Sequence, residues 1–117
     1  MAGVINLSDK LSKFDDHWSP KIVGSFNGHD LMVVKVKGEF VWHSHPDTDD
    51  FFQVLKGSIR IEMPDGTVTL DEGEIFVVPK GVEHRPVADE EAHLLIIEPA
   101  GTPNTGNKET AVEKHRV

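Results

Sequence analysis

The part of the chain that follows Pro20 consists of short apolar runs separated by Gly, Pro, Asn or Asp. Such runs are typical of β-strands, and strands that recur about every 8–12 residues are typical of antiparallel sandwiches and barrels. The Asn27-Gly28 pair between the first two runs is a strong signal for a type I′ hairpin. The predicted strands are residues 21–26, 31–37, 40–45, 50–55, 59–63, 68–70, 75–78 and 92–97. The sequence therefore predicts an all-β fold.

One short helix is expected before these strands, over about residues 8–18. Its apolar residues are four, three and four positions apart, which is a helical spacing. Ser8 is suited to cap the first turn, and Pro20 ends the pattern. The residues that carry the spacing are Leu7, Leu11, Phe14 and Trp18.

The length of 117 residues fits one domain, and we predict a single domain over residues 1–117. The barrel core is expected at about residues 20–98. Residues 99–117 form a tail rich in Pro, Gly, Thr and Asn. Its periodicity leaves two alternatives open: a disordered segment, or an arm that wraps a partner subunit.

Charge and composition exclude several function classes. With 12 Lys+Arg against 20 Asp+Glu, the net charge is −8, which disfavours binding to nucleic acid and to anionic membranes. No apolar run approaches the roughly 20 residues that span a bilayer. The chain has no Cys, so disulfides, thiolate catalysis and Cys-ligated zinc are excluded. The N-terminus lacks the features of a signal peptide, and a cytoplasmic protein is expected.

Four residues could together bind a metal ion. His43 and His45 lie two apart in a predicted strand, so both imidazoles point to the same face. Asp50 begins the next strand, and His84 follows a turn. Nitrogen and oxygen donors of this kind suit a divalent iron, manganese, nickel, cobalt, copper or zinc ion. Taken alone, a His-x-His pair on a strand is more often a surface or loop-edge feature than a pair of metal ligands.

The remaining histidines have no such context, and we expect them to be bystanders. They are His17, His29, His93 and His115.

Two spaced motifs include these residues. The first is His43-x-His45, four residues, Asp50, six residues, Gly57; the second is Gly73, five residues, Pro79-x-Gly81, two residues, His84. Together they resemble the two motifs of the cupin family, over about residues 38–88. The sequence departs from the common pattern at three places. Gly38 is one residue closer to His43 than is usual in the family. Ala88 stands where the second motif usually ends in Asn, and Asp50 stands where the metal-binding acid is usually Glu. Because Asp is one methylene shorter, Asp50 would bind a metal through a shifted backbone, through water, or not at all.

The resemblance implies a double-stranded β-helix, or jelly-roll barrel, with one divalent transition metal held by His43, His45, Asp50 and His84. An open position on such a metal would suit an enzyme that acts on a small organic molecule, of dioxygenase, isomerase, decarboxylase or lyase type. The alternatives are a module that binds or senses a small ligand and, less favoured, a storage or scaffold protein.

Alternation within the strands predicts which side chains fill the barrel. The expected core residues are Phe52, Val54, Ile61, Ile75, Val77, Leu95 and Ile97. On their strands, the opposite face from His43 and Phe52 carries three aromatic residues, Phe40, Trp42 and Phe51. A sheet with apolar residues on both faces needs something to cover the second face. We therefore expect a homodimer, which is also common in the family. Gln53, Arg60 and Arg85 are weak candidates for contact with a substrate. Asp50 is the one carboxylate to which the resemblance assigns a ligand role.

Overall fold

The computed structural model describes residues 3–117, which form one short helix and eight strands. They are α1 (Leu7–Leu11), β1 (Lys21–Phe26), β2 (His29–Glu39), β3 (Asp50–Lys56), β4 (Ile59–Met63), β5 (Gly66–Leu70), β6 (Ile75–Val78), β7 (Arg85–Pro99) and β8 (His115–Arg116). No helix among residues 3–117 has the length and apolar character that crossing a membrane requires.

The long strand β7 organises the sheet. One edge of β7 pairs antiparallel with β2 along its length. Its other edge pairs with β4 near its start, from Arg85 to Val87, and with β3 near its end, from His93 to Ile97. The sheet therefore divides into two branches, β4–β5 and β3–β6, that fold over a shared interior. This arrangement confirms the predicted all-β jelly roll, although the path of paired strands stays open from β5 to β8.

The hairpin between β1 and β2 has the predicted turn. Asn27 and Gly28 have φ values of 50° and 76°, and a type I′ turn requires positive φ at both central residues. Asn tolerates this conformation better than other side chains do, and glycine adopts it without strain.

The N-terminal helix is shorter than predicted, because it ends at Leu11 instead of continuing to residue 18. Asn6, and not Ser8, caps it: the Asn6 side chain accepts a hydrogen bond from the Asp9 N–H at 2.9 Å. Trp18 has a φ of 58°, which no α-helix accommodates, and its ring stacks on Phe40 at 4.8 Å between centroids. The apolar residues beyond Leu11 thus pack in a loop despite their helical spacing.

The C-terminal tail lies against the barrel of its own chain. β8 pairs parallel with β1, and the Val117 N–H donates to the Ile22 carbonyl at 3.1 Å. The Lys10 ammonium group donates to the carbonyl of Val117 at 2.9 Å. The structure thus places the tail along its own barrel, and the alternatives left open for it, disorder and an arm around a partner subunit, stay predictions.

The register of the strands decides which side chains enter the core. Phe52 pairs with Phe76 on β6 and with Ile96 on β7, and paired residues of antiparallel strands face the same side. The even-numbered residues of β6 and β7 therefore point inward. The prediction that Ile75 and Val77 are internal was wrong: they are 57% and 43% exposed.

The same register affects the other core predictions. Leu94 and Ile96 are buried, whereas the predicted Leu95 and Ile97 are only half-buried. Phe52, Val54 and Ile61 are in the core as expected.

Because Ile61 is buried and Ile75 is exposed, shortening these two side chains should lower the free energy of unfolding by unequal amounts. Ile61→Ala, at a side chain with no exposed surface, is expected to lower the free energy of unfolding by about 2–5 kcal/mol. Ile75→Ala removes the same atoms from a strand position that is exposed in the single chain and is expected to cost the monomer about 1 kcal/mol or less. Urea titration of the two variants compares them, and equal shifts of the midpoint would contradict the observed burial.

Candidate metal centre

The structure brings the four sequence-predicted residues together. Their ligating atoms all lie within 4.8 Å of one another, and all four residues are buried. Asp50 is the first residue of β3, and His84 immediately precedes β7. The predicted strand at residues 40–45 is absent, because β2 ends at Glu39. His43 instead makes an isolated bridge with His84: each backbone N–H donates to the other's carbonyl, at 3.0 and 2.9 Å.

Two of the imidazoles are oriented by carbonyl groups of nearby residues. His43 Nδ1 lies 2.9 Å from the Val41 carbonyl, and His84 Nδ1 lies 2.9 Å from the Val82 carbonyl. Because a carbonyl oxygen only accepts hydrogen bonds, each Nδ1 carries a proton, and in the neutral ring Nε2 supplies the lone pair. This is the tautomer that a histidine uses to bind a metal through Nε2.

The Asp50 carboxylate lies close to the Nε2 atoms of His84 and His45. Its Oδ2 lies 2.9 Å from His84 Nε2 and 3.3 Å from His45 Nε2. Two acceptor atoms approach so closely only with a proton or a metal cation between them. The shorter side chain of Asp50 therefore reaches the cluster despite its missing methylene.

Burial without hydrogen bonds gives a second indication of a cation site. Among residues 3–117, the buried side-chain polar atoms that lack a hydrogen-bond partner are His45 Nε2 and Glu98 Oε2. Unpaired buried polar atoms are costly, and native structures contain few of them. His45 Nε2 adjoins Asp50 Oδ2 and would be satisfied by a metal ion in the cluster. The donor set of three imidazoles and one carboxylate thus fits a divalent transition metal.

Burial and neighbouring charges shift the pKa values of three residues in the cluster. Burial lowers the pKa of His43 to about 4, with smaller contributions from the neighbouring His84 and His45, so its imidazole is neutral at pH 7. Burial also lowers the pKa of His45, but the nearby Asp50 carboxylate outweighs it and raises the pKa above its usual value. For Asp50, burial raises the pKa, but His45 and His84 outweigh it and hold the pKa below its ordinary value.

Glu98 is a buried carboxylate beside the cluster that sequence reasoning missed. It is 3% exposed, and its Oε2 lies 4.0 Å from His45 Nδ1. Burial and the charge of Asp50 raise the pKa of Glu98 to about 7. The signal was present in the alternation of β7, because Glu98 has the same parity as the inward-facing Leu94 and Ile96.

A narrow cavity adjoins the cluster on its apolar side. Its volume is ≈ 40 Å³, room for a few water molecules. Asn104 of the C-terminal tail also lines it, 8% exposed, with its Oδ1 accepting from the Val112 N–H at 3.1 Å. No sequence pattern pointed to Asn104. The cavity's other polar lining residues are His43, Asp50 and Glu98, and its apolar ones include Trp18, Phe40, Phe52, Leu94 and Ile96.

The weaker candidates for substrate contact lie elsewhere. Arg60 pairs with Asp89 at 2.6 Å on the surface, and Arg85 pairs with Glu62 and Glu39. Neither these arginines nor Gln53 line the cavity.

The four histidines expected to be bystanders are not in the cluster, as far as residues 3–117 show. His17 and His93 contact Glu91, at 2.7 and 3.1 Å. His115 is exposed on β8, and the His29 ring bonds to the Asn27 carbonyl.

Comparison with known proteins extends these observations. A cupin-2 domain-containing protein of Shewanella frigidimarina has a solved structure with 51% identity and a TM-score of 0.81, over 82% of this chain and 94% of that one. The hydroquinone 1,2-dioxygenase PnpCD, solved with cadmium(II) and 4-hydroxybenzonitrile, has a TM-score of 0.73 over 83% of this chain and 72% of that one. Its 19% identity shows a common fold alone.

A 3-hydroxyanthranilate 3,4-dioxygenase of Brucella anthropi is 34% identical over 85 residues, which cover 64% of this chain and 46% of the relative. The chain spans about half the length of the curated relatives it matches. A family model described as the cupin domain matches residues 30–98, which include both motifs and all four clustered residues. This protein belongs to the cupin-domain family.

Proposed function

We propose that this protein is a metal-dependent enzyme that acts on a small organic molecule, with His43, His45, Asp50 and His84 as the metal ligands. The observation that carries the proposal is the buried cluster itself, in which the Asp50 carboxylate lies 2.9 Å from His84 Nε2. A structural barrel has no need of three imidazoles and a carboxylate within 4.8 Å of one another, away from water.

The chemistry of such a site divides between the metal and the chain. A divalent metal with four protein ligands would leave positions open for water or substrate and would act as a Lewis acid or redox centre. The Val41 and Val82 carbonyls hold two of the imidazoles in the tautomer needed for binding. The apolar cavity wall, which includes Phe52, Leu94 and Ile96, excludes bulk water from one side of the site.

Dioxygenation is the reaction type with the most support among dioxygenase, isomerase, decarboxylase and lyase chemistry. One relative of this chain is named as a 3-hydroxyanthranilate dioxygenase, and a structural neighbour is named as a hydroquinone dioxygenase. The names of both enzymes specify small oxygenated aromatic substrates, so such compounds are the first ones to test.

The test is reconstitution followed by oxygen measurement. The metal-free protein would be loaded separately with iron(II), manganese, nickel, cobalt, copper and zinc, and oxygen uptake recorded with 3-hydroxyanthranilate or hydroquinone. We expect uptake with one redox-active metal and none with His84→Ala. A wild-type protein that rejects all six metals would overturn the proposal. A protein that binds a metal but turns over no substrate would favour the second candidate function.

That second candidate is a module that binds or senses a small ligand. The cavity favours it in one respect, because ≈ 40 Å³ is far below the roughly 150 Å³ that holds a benzene molecule. An aromatic substrate would require the cavity wall to move. If the metal-loaded protein binds a probe compound but does not turn it over, the result would support the binding-module hypothesis over the enzyme hypothesis.

The pH dependence of metal affinity tests the ligand assignment. A metal displaces protons from its ligands, so affinity falls as the pH falls. Since the pKa of His45 is raised, this competition should begin at a higher pH than for an ordinary histidine. His43, with a pKa of about 4, should not contribute. Competition with a chelator between about pH 8 and 5 measures the effect, and a pH-independent affinity would contradict it.

A homodimer is also proposed, through the outer face of β3 and β6. Ile75 and Val77 are exposed there, next to the half-buried Phe51, with which Val77 pairs. Val77→Glu should then shift the protein from dimer to monomer in sedimentation, whereas a monomeric wild type would refute the proposal. A cytoplasmic location and the absence of a nucleic-acid partner stay predictions, the latter from the net charge of −8.

A further inference from the structure

We infer that Glu98 is a positioning residue for His45: its carboxylate accepts the Nδ1–H of that ring and so directs Nε2 toward the metal. The inference rests on the proposed metal site and concerns a residue outside both motifs.

The hydrogen-bond pattern of the three imidazoles carries the first step. His43 and His84 each bond through Nδ1 to the carbonyl of the residue two positions earlier, at 2.9 Å. Within residues 3–117, His45 Nδ1 makes no such bond, and it faces Glu98 Oε2 instead. A metal-binding histidine usually donates its other ring N–H to a carbonyl or a carboxylate. Glu98 therefore occupies the place that backbone carbonyls fill for the other two rings.

Burial carries the second step. The side chains of His45 and Glu98 are both only 3% exposed, and Oε2 has no hydrogen-bond partner among the described residues. The 4.0 Å between Oε2 and Nδ1 is about 1 Å longer than a hydrogen bond, so the inferred bond requires the two side chains to approach each other by that amount. With Nε2 bound to a metal, Nδ1 keeps its proton, and the Nδ1–H can then donate to the unpaired Glu98 Oε2.

A competing role for Glu98 is contact with a ligand, because the residue also lines the cavity. The two roles predict different results for metal binding in the absence of any organic ligand. A positioning residue changes the affinity for the metal alone, whereas a residue that contacts only the organic ligand does not.

The experiment measures dissociation constants for zinc and for cobalt(II) in wild type, Glu98→Leu and Glu98→Gln. We expect Glu98→Leu to weaken metal binding about 10–100-fold. Glu98→Gln should lose less, because its amide oxygen still accepts the bond but carries no charge. The matched control is Glu91→Gln, an exposed glutamate that contacts His17 and His93, and it should leave both constants unchanged.

Two spectroscopic readouts separate positioning from a general structural role. In the zinc-loaded protein, the Nδ1–H proton resonance of His45 should shift in Glu98→Gln and exchange rapidly with water in Glu98→Leu. The cobalt(II) absorption band should keep its shape in both variants, because the number of ligands is unchanged. A loss of one ligand from that band would overturn the inference in favour of direct binding by Glu98.

The outcomes are distinguishable from failure of the site itself. If wild type binds neither metal, the proposed metal site is wrong and this inference falls with it. If wild type binds and both Glu98 variants match its affinity and its His45 resonance, the inference alone is wrong. Should Glu98→Leu fail to fold, as circular dichroism would show, Glu98→Gln decides.

Discussion

His84→Ala is expected to lower the metal content of the purified protein at least several-fold, from about one ion per chain. His84 is 1% exposed, and its Nε2 lies 2.9 Å from Asp50 Oδ2, at the centre of the cluster. The substitution removes one of four donors, and it also leaves the Asp50 carboxylate buried beside an apolar methyl group. Elemental analysis of protein prepared without chelator measures the effect.

Two controls accompany this variant. His115→Ala removes a histidine from the exposed strand β8, and Val54→Ala truncates a fully buried side chain of β3 that is outside the cluster. Both should retain wild-type metal content, so that neither the loss of any histidine nor a cavity in the core accounts for the result. A His84→Ala protein with full metal content would remove His84 from the ligand set.

Metal binding is expected to raise the thermal stability of the protein by a large amount. A ligand that binds only the folded state contributes about 4 kcal/mol when its free concentration is about 1,000 times its dissociation constant. Each kcal/mol moves the Tm of a domain of this size by a few degrees, so the shift should be about 10 °C or more. The physical source is the set of nitrogen and oxygen atoms that the fold buries next to one another, which the ion would bind together.

Differential scanning calorimetry with and without a chelator measures this shift. His84→Ala should show little or no shift under the same conditions, which separates binding at the cluster from adventitious binding at surface carboxylates. An equal shift in both proteins would place the ion outside the cluster.

Local sequence patterns predicted the hairpin turn and most of the strands, because those features depend on neighbouring residues. The predicted strand at residues 40–45 was wrong, and the strand predicted over residues 92–97 extends from Arg85 to Pro99. Asn27-Gly28 specifies its turn through the φ preferences of two residues. The length of the helix was overestimated because the prediction used only the spacing of neighbouring apolar residues. Spacing alone cannot distinguish an apolar face of a helix from a loop whose Trp18 reaches across to Phe40.

The four clustered residues could be chosen from the sequence because they lie in two spaced motifs. His43, His45 and Asp50 occur within eight positions of each other, and the turn at Pro79-x-Gly81 precedes His84. The tertiary structure added the orientation of each ring, through carbonyl partners that no motif records.

By itself, the sequence determined the class of the fold, the turns and the set of candidate ligands, since each follows from local conformational preference or motif spacing. Only the tertiary structure decided which face of β6 and β7 points inward, that Glu98 adjoins His45, and that Asn104 of the tail lines the cavity. The reason is physical: a shift of one residue in the register between distant strands moves every side chain to the other face. That register is set by pairing across the whole barrel.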